Sequence, residues 1–592
     1  MPWSSLPTEL RLVVFDRLAR ITEADRRALK LQLDTTTKPP SMATYTAVCR
    51  EWHWFFEPYN FRRLVIDDSE VGQFAELVKG PTKRHRLAFI RHLHFHGRLD
   101  DYDCSQCTEK SDEDASVRED GRIMLALSTL IAVLSTRNKL EGEEYTCHPD
   151  WDEFAKDTED RSSDPKGSGL TLELSTSSWS DPHHSVRNFR QCRDYPYELP
   201  EDIEDRYDAY KAYRERERTH PNNTHGWEGG LWRRHVPDIA SATKRVLGAM
   251  PMGSVKRLIQ PHHMGYISRG EAIPGLMKPN ITCRASIIRA IVVRRRFYRN
   301  VDHRLLHSLM GLSSESLNDV RLELWEPEYV MCFHRYYWDK KLQNLSIFVD
   351  VTIASQYLDF GLTPDMRGQG IAYWTHPHEN IALTHLMDAT DIFEGAQQEL
   401  KSHSMNPDWP EAPRITAPFW PNLVNLALTD MNLMHVMIEE REGSEEDEGE
   451  TPGQYAISLT ADMLVHMPKL ETLELWCGDK DLGCFFRFET FQGSSTTPPT
   501  VTIGSTWDLK GDRIGWWTPK LQSVWTKKAK QYSQLPLSVR NIALPEIRSP
   551  SGLYLWAYME VIDKLALRDL VIDPVSYYDM TQDATHGTDE AN

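Results

Sequence analysis

One short pattern recurs along this chain of 592 residues: an apolar residue, two residues, an apolar residue, one residue, an apolar residue. It stands at Phe61/Leu64/Ile66, Ile90/Leu93/Phe95, Leu317/Val320/Leu322, Leu342/Leu345/Ile347 and Leu423/Leu426/Leu428. It returns at Leu470/Leu473/Leu475, Val539/Ile542/Leu544 and Leu567/Leu570/Ile572. The last two members of each triplet are two positions apart, the spacing at which strand side chains point to one face. Each copy therefore predicts a short strand turned into a core. HMPKLETLELW and FWPNLVNLALTD place Pro468 and Pro421 between a helix-like run and the strand, where a residue without an N–H stops the helix. A helix, a proline stop and a strand make one α/β unit. LTLELS at 170–175 and VKRLIQ at 255–260 are weaker copies.

The triplet resembles the strand-forming half of a leucine-rich repeat. Its spacing is uneven: Ile66 to Phe95 spans 29 positions, Leu322 to Ile347 spans 25, and Ile347 to Leu428 spans 81. The short intervals fit repeats of about 20–29 residues, and the long ones require insertions. The expected fold is α/β: an N-terminal helical motif over 1–60, then an irregular leucine-rich-repeat-like solenoid over 61–578 with long loop insertions. CSQCTEKSDEDASVREDG, EGEEYTCHPDWDEFAKDTEDRSSDPKGSG, EEREGSEEDEGETPGQ and FQGSSTTPPT read as those loops, being rich in charge, Gly, Ser and Pro. Residues 579–592 read as a disordered polar tail.

Residues 3–66 begin WSSLPTELRLVVFDRL and return at YTAVCREWHWFFEPYNFRRLVI. Leu6, Leu10, Val13, Val14, Leu18 and Ile21 are at helical spacing behind Ser4 or Ser5 as N-cap. Pro7 suits a first helical turn and Glu9 the positive end of the helix dipole. Tyr45, Val48, Cys49, Trp52, Phe55 and Phe56 form a second apolar face. Two short helices this apolar leave surface over for a partner or for the rest of the chain.

LPTELRLVVFDRL followed by VCREW resembles an F-box. The resemblance carries Leu6, Pro7, Leu10, Val14, Leu18, Val48, Cys49 and Trp52 onto positions that dock the Skp-type linker of a cullin–RING ubiquitin ligase. One feature departs from the family: Leu6 to Val48 spans 42 positions, longer than usual, with ITEADRRALKLQLDTTTKPPSM inserted. That insert reads as an extra charged helix and a Pro-rich turn. RHLHF, YDCSQC, GLTLELSTSSWSDPHH, FWPNLVNLALTD and MPKLETLELW are similar to a group of filamentous-fungal F-box proteins, whose long C-terminal part is a domain of unknown function. The resemblance implies a ligase adaptor with an unknown protein target. The alternatives are a repeat scaffold outside any ligase and, through a motif described below, an acyl-CoA-dependent acetyltransferase.

A net charge of −19 and a pI near 5.7 argue against nucleic acid as a partner, since phosphate binding needs a basic surface. Nine scattered cysteines are the usage of a reducing compartment. No signal peptide and no run of 18 apolar residues are apparent, so the expectation is a cytoplasmic or nuclear protein with no membrane span.

Cys104 and Cys107 form a CxxC, with His92, His94 and His96 before it and Cys147-His148 after it. The three histidines alternate on a predicted strand, so they share a face, and no second pair stands at zinc-finger spacing. The reading is two solvent-side cysteines and no metal. Arg367-Gly-Gln-Gly370-Ile-Ala372 resembles the acyl-CoA loop of acetyltransferases, in which backbone N–H groups cradle phosphates at the start of a helix. Pro377 would break that helix within two turns. His183-His184 and His262-His263 read as surface pairs, and Trp516-Trp517 as buried. No catalytic residue and no cofactor are expected.

Overall fold

The computed structural model describes chiefly residues 3–31, 42–100, 113–135, 169–178, 227–232, 285–294, 301–324, 342–349, 368–405, 418–434, 450–478, 483–506, 517–544 and 556–577, with some positions inside these ranges excepted. The chain falls into two compact units: residues 1–292 with 297–316, and residues 293–296 with 317–592.

The first unit opens with α1 (Thr8–Leu31), α2 (Met42–Thr46) and α3 (Arg50–Arg62). The carbonyl of Pro7 accepts from Leu10 N and Arg11 N, both at 3.1 Å. Pro7 thus stands just before the helix rather than in its first turn. The expected extra helix in the insert is instead a continuation of α1, unbroken to Leu31. Aromatic side chains hold the three helices together. Phe15 is fully buried, with its ring centroid 5.2 Å from Trp3, 5.1 Å from Trp52, 4.8 Å from Phe55 and 5.6 Å from Phe56.

β1 (Arg63–Asp67) follows α3 with no residue between them. α4 (Val71–Val78), α5 (Arg86–Phe89), β2 (His92–Leu99), α6 (Glu113–Ser135) and β3 (Leu170–Ser178) come next. A small antiparallel pair, β4 (Trp227–Glu228) with β5 (Leu231–Trp232), precedes β6 (Ile288–Val293). β1 pairs with β2 and β2 with β3, both in parallel. β6 neighbours β3, and Leu170 N donates to Ile287 O at 2.8 Å. The weak copy LTLELS is therefore a strand. The loop expected over CSQCTEKSDEDASVREDG is in part the start of α6. VKRLIQ lies outside the described residues.

The second unit contains β7 (Asp319–Leu324), β8 (Asn344–Val349), β9 (Asn380–Thr384), β10 (Asn425–Thr429) and β11 (Thr472–Gly478). Neighbours in this series pair in parallel. Then β12 (Gly483–Glu489) and β13 (Thr500–Ser505) run antiparallel, and β14 (Ser538–Ala543) pairs in parallel with β13. α7 (Ala389–Met405), α8 (Pro452–Met463) and α9 (Pro519–Ala529) lie between strands, and α10 (Trp556–Lys564) and α11 (Arg568–Val571) close the unit. Where EEREGSEEDEGETPGQ was expected to be wholly loop, its last residues start α8. Thr451 Oγ accepts from Gln454 N, the Gln454 side chain accepts from Thr451 N, and Pro452 opens the first turn.

An amide ladder crosses the strand starts. Asn425 Nδ2 donates to Asn380 Oδ1 at 2.7 Å, Asn380 Nδ2 to Asn344 Oδ1 at 2.6 Å, and Asn344 Nδ2 to Asp319. β9 lacks an apolar first member: His378 takes that place, fully buried, with Nδ1 at 2.8 Å from Leu342 O. Burial lowers its pKa to about 4. The opposite error occurs at Leu567/Leu570/Ile572, expected as a strand and found on α11 and its end. Its first two members are three apart, which is also helical spacing, and no proline precedes them.

The α/β expectation holds, as a mixed α/β architecture with an open, mostly parallel arrangement of strands. Strands β7 to β13 of the second unit are largely buried on both faces, whereas most of β14 is exposed. Trp525 of α9 packs on Phe486 and Phe488, whereas Phe485 and Trp476, on the other face, pack with Met559, Ile562 and Val571 of the C-terminal segment. Among the described residues no helix is long and apolar enough to cross a membrane.

Candidate functional site

The outer surface of the N-terminal helices carries the largest group of exposed apolar side chains in this part of the chain. Leu10 is 52 % exposed, Val13 60 %, Val14 39 % and Ile21 44 %, all on α1, and Val48 is 58 % exposed in the turn before α3. The burial alternates around α1 because Phe15 and Ala19 take the inner face, so Leu10, Val13, Val14 and Ile21 are left to the outer one. Of the eight residues predicted from sequence, Pro7, Leu10, Val14, Val48 and Cys49 are exposed, and Leu6, Leu18 and Trp52 are half-buried. Leu18 and Trp52 pack against the aromatic core and so support the surface from behind. Cys49 has extended backbone and precedes α3, and its carbonyl accepts from His53 N at 2.8 Å. Val13 and Ile21 belong to the exposed apolar group although the family resemblance did not single them out.

Ion pairs and hydrogen bonds fix the two sides of this surface. Glu51 of α3 accepts from Arg11 Nη1 at 2.5 Å and from Trp3 Nε1 at 3.0 Å. Thr22 and Tyr45 share a hydrogen bond of 2.9 Å. Beneath, Glu57 is buried and takes Arg86 Nε at 2.7 Å and His85 Nε2 at 3.0 Å. Burial alone would raise the Glu57 pKa, but the hydrogen bonds from His85 and Arg86 outweigh it and hold it at about 2.

A second polar group lies on β2 and β3. His92, His94 and His96 share one strand face, as their alternation required. His92 Nε2 is 2.9 Å from Glu173 Oε2, and Ser175 Oγ is 2.5 Å from His94 Nε2 and 2.7 Å from His96 Nδ1. Ser177 Oγ lies 2.7 Å from His96 Nε2. Hydroxyl and carboxylate partners on β3 thus serve the three rings. Among the described residues no group of three or more His, Cys, Asp or Glu is placed to hold a metal ion. Cys104, Cys107, Cys147, His148, His183, His184, His262, His263, Arg367 and Trp516 lie outside the described residues.

The RGQGIA stretch has helical backbone at Gly368 and again from Gly370 to Ala372. A Cβ at Gly368 would meet the Asp391 carbonyl oxygen of α7 at 2.1 Å, so glycine here serves a close helix approach. Pro377 falls in the turn after this helical stretch. At the ends of β9 and β10, Asp388 and Asp430 form a carboxylate pair that the sequence reading did not pick out. Asp430 accepts from Thr390 N at 2.9 Å, Thr390 Oγ at 2.7 Å and Asn432 N at 2.9 Å, and Asp388 accepts from Met431 N at 2.8 Å. Burial first, and the Asp430 charge second, raise Asp388 to about 7, while burial also raises Asp430. Two acidic residues in separate strand-end loops gave no local pattern by which to pair them.

Residues 366–573 match a family of unknown function (DUF6546). The matched region lies within the second unit and takes in β9 to β14 and the helices after them. Neither an F-box nor a leucine-rich-repeat family is matched. No curated protein and no solved structure matches the chain.

Proposed function

We propose that the chain is a non-catalytic substrate-recognition adaptor of an SCF-type (cullin–RING) ubiquitin ligase. The N-terminal helices dock the Skp-type linker, and the leucine-rich-repeat-like remainder holds a protein target. The observation that supports it is the exposure of Leu10, Val13 and Val14 on one face of α1, and of Val48 in the turn before α3, over a separate aromatic core. Apolar side chains exposed side by side on a rigid helical support are what a docking partner buries. Adaptor action needs no acid, base or nucleophile. It raises the effective concentration of the target near the ubiquitin-charged enzyme.

The test is recovery of purified Skp-type linker by the full chain, compared with Leu10→Asp/Val14→Asp. Wild type is expected to retain the linker and the double variant to lose at least about tenfold of it, equivalent to about 1.4 kcal/mol. Both chains should melt at nearly the same temperature, because the substituted positions are exposed. Equal recovery by the two chains, or none by wild type, leaves the repeat scaffold outside a ligase as the better reading.

A further inference from the structure

The C-terminal segment holds to the sheet of the second unit by contacts unlike those elsewhere in its core. Glu474 of β11, fully buried, accepts from Ala566 N at 2.8 Å and Leu567 N at 2.9 Å. Arg487 of β12 supports it with Nε at 2.6 Å and also donates to Lys564 O. Glu323 of β7 accepts from Asp573 N at 2.7 Å and from the Ser576 hydroxyl. The Asp573 carboxylate lies 2.5 Å from Arg294 Nη1 and 3.2 Å from Arg321 Nη1, and Arg321 Nη2 donates to Asp569 O at 2.6 Å. Side chains of the sheet are thus reading backbone N–H groups, two backbone carbonyls, a hydroxyl and one carboxylate. Those are the groups a binding face uses to recognise a peptide.

Between these anchors the fit is incomplete. Ser346 Oγ on β8, Thr384 Oγ1 on β9 and Trp476 Nε1 on β11 are buried, with no hydrogen-bond partner among the described residues. Strand register puts all three on the covered face. Ser346 is two residues before Phe348, Phe348 is opposite Thr384, and Trp476 is opposite Thr429 in the same row. The segment offers them Met559, Val561, Ile562, Leu565, Val571 and Ile572, which are all apolar. Polar groups buried with partners are the rule in native structures, so three without partners on one face need a cause.

We infer that this face is a peptide-binding face and that residues 556–577 are its resident, exchangeable occupant. The partner it fits is a peptide with aliphatic residues, a carboxylate to take the place of Asp573 between Arg294 and Arg321, and hydroxyl or amide side chains over Ser346, Thr384 and Trp476. The inference concerns the second unit alone and does not depend on what the N-terminal helices dock.

The test uses the full chain, unsubstituted and as Asp573→Ala, with two readouts. The first is amide hydrogen exchange at Ala566, Leu567 and Asp573 against amides of β10 and β11. The second is anisotropy of a fluorescent synthetic peptide of residues 556–577. The segment amides are expected to exchange at least about tenfold faster than the strand amides, and Asp573→Ala is expected to widen that gap. The labelled peptide is expected to bind Asp573→Ala at least about tenfold more tightly than the unsubstituted chain. Thr384→Val, which removes an unpartnered hydroxyl from the closed face, is expected to slow segment exchange several-fold. Segment and strand amides exchanging together in every chain, or a peptide that does not bind once the segment opens, would overturn the inference. So would a Thr384→Val chain whose segment opens faster, because the hydroxyl would then have a partner in the closed state.

Discussion

On α1, Leu10 and Val14 stand in solvent while Phe15, the next residue, is completely buried. On β11 the order is reversed: Glu474, a carboxylate, is completely buried between Leu473 and Leu475. In the first case the surface has kept its apolar groups because nothing in the chain covers them among the described residues. In the second, polar groups have gone inside because another segment of the chain supplies their partners. Exposed apolar surface and enclosed polar surface both require a partner, and the chain supplies its own only for the second. The two buried acidic sites differ in the same way. Glu57 is enclosed with Arg86 and His85, whose hydrogen bonds lower its pKa, whereas Asp388 and Asp430 are enclosed with each other and both are raised.

The sharpest separation of core from surface is expected at adjacent positions of α1. Phe15→Ala should cost about 3–5 kcal/mol, seen as a lowered denaturant midpoint with an unchanged slope, because it removes the ring that four other rings surround. If Phe15→Ala were as mild as Leu10→Asp, the division of α1 into an inner and an outer face would be wrong. Next in size is Glu57→Gln, which leaves Arg86 and His85 facing a neutral amide. It should cost about 3 kcal/mol by the same measurement. Gly368→Ala should cost about 1–3 kcal/mol through the clash with Asp391 O, and should do so without any acyl-CoA present.

The pH dependence of stability should have opposite signs at the two acidic sites. Glu57 is lowered from 4.5 to about 2, so its contribution is present above pH 4.5 and is lost as pH falls toward 2. Asp388 is raised from 3.8 to about 7, so its contribution is fully present below pH 3.8 and is lost as pH rises through 7. Asp388→Asn keeps an acceptor for Met431 N and removes the titration. It is expected to raise stability at pH 8 and to flatten the decline between pH 4 and pH 7, as followed by chemical denaturation across that range. A decline that survives in Asp388→Asn would assign it to other groups. The smallest effect is that of Leu10→Asp on stability, expected within about 0.5 kcal/mol.

Local pattern made much of the fold legible. Leu64/Ile66, Leu93/Phe95, Val320/Leu322, Leu345/Ile347, Leu426/Leu428 and Leu473/Leu475 all fall on strands, because alternation within a strand is a property of neighbouring residues, whereas in the copy at β14 Leu544 lies past the strand end and Ile542 is exposed rather than turned into a core. The pattern missed β9 where His378 replaces the first apolar member, since a histidine held neutral by burial packs where the sequence shows a polar residue. It gave α11 the wrong form because its triplet also satisfies helical spacing. The antiparallel pair β12–β13 carried no triplet at all. At the N-terminal site, the resemblance supplied five residues that are exposed, but which of the apolar residues face outward was settled by the packing of Phe15 against α3.

By itself the sequence determined where most of the parallel strands form, that the chain is α/β, and that its first helices have more apolar surface than they can bury together. These follow from spacing, capping and proline placement within a few residues. Only the tertiary structure decided that Glu474 and Glu323 grip a segment about a hundred residues or more further along, that Asp388 meets the charge of Asp430, and that Gly368 lies against Asp391. The reason is physical. Spacing along the chain is written in the order of the residues, whereas a buried charge acquires its partner only when distant strands and the segment that covers them come together.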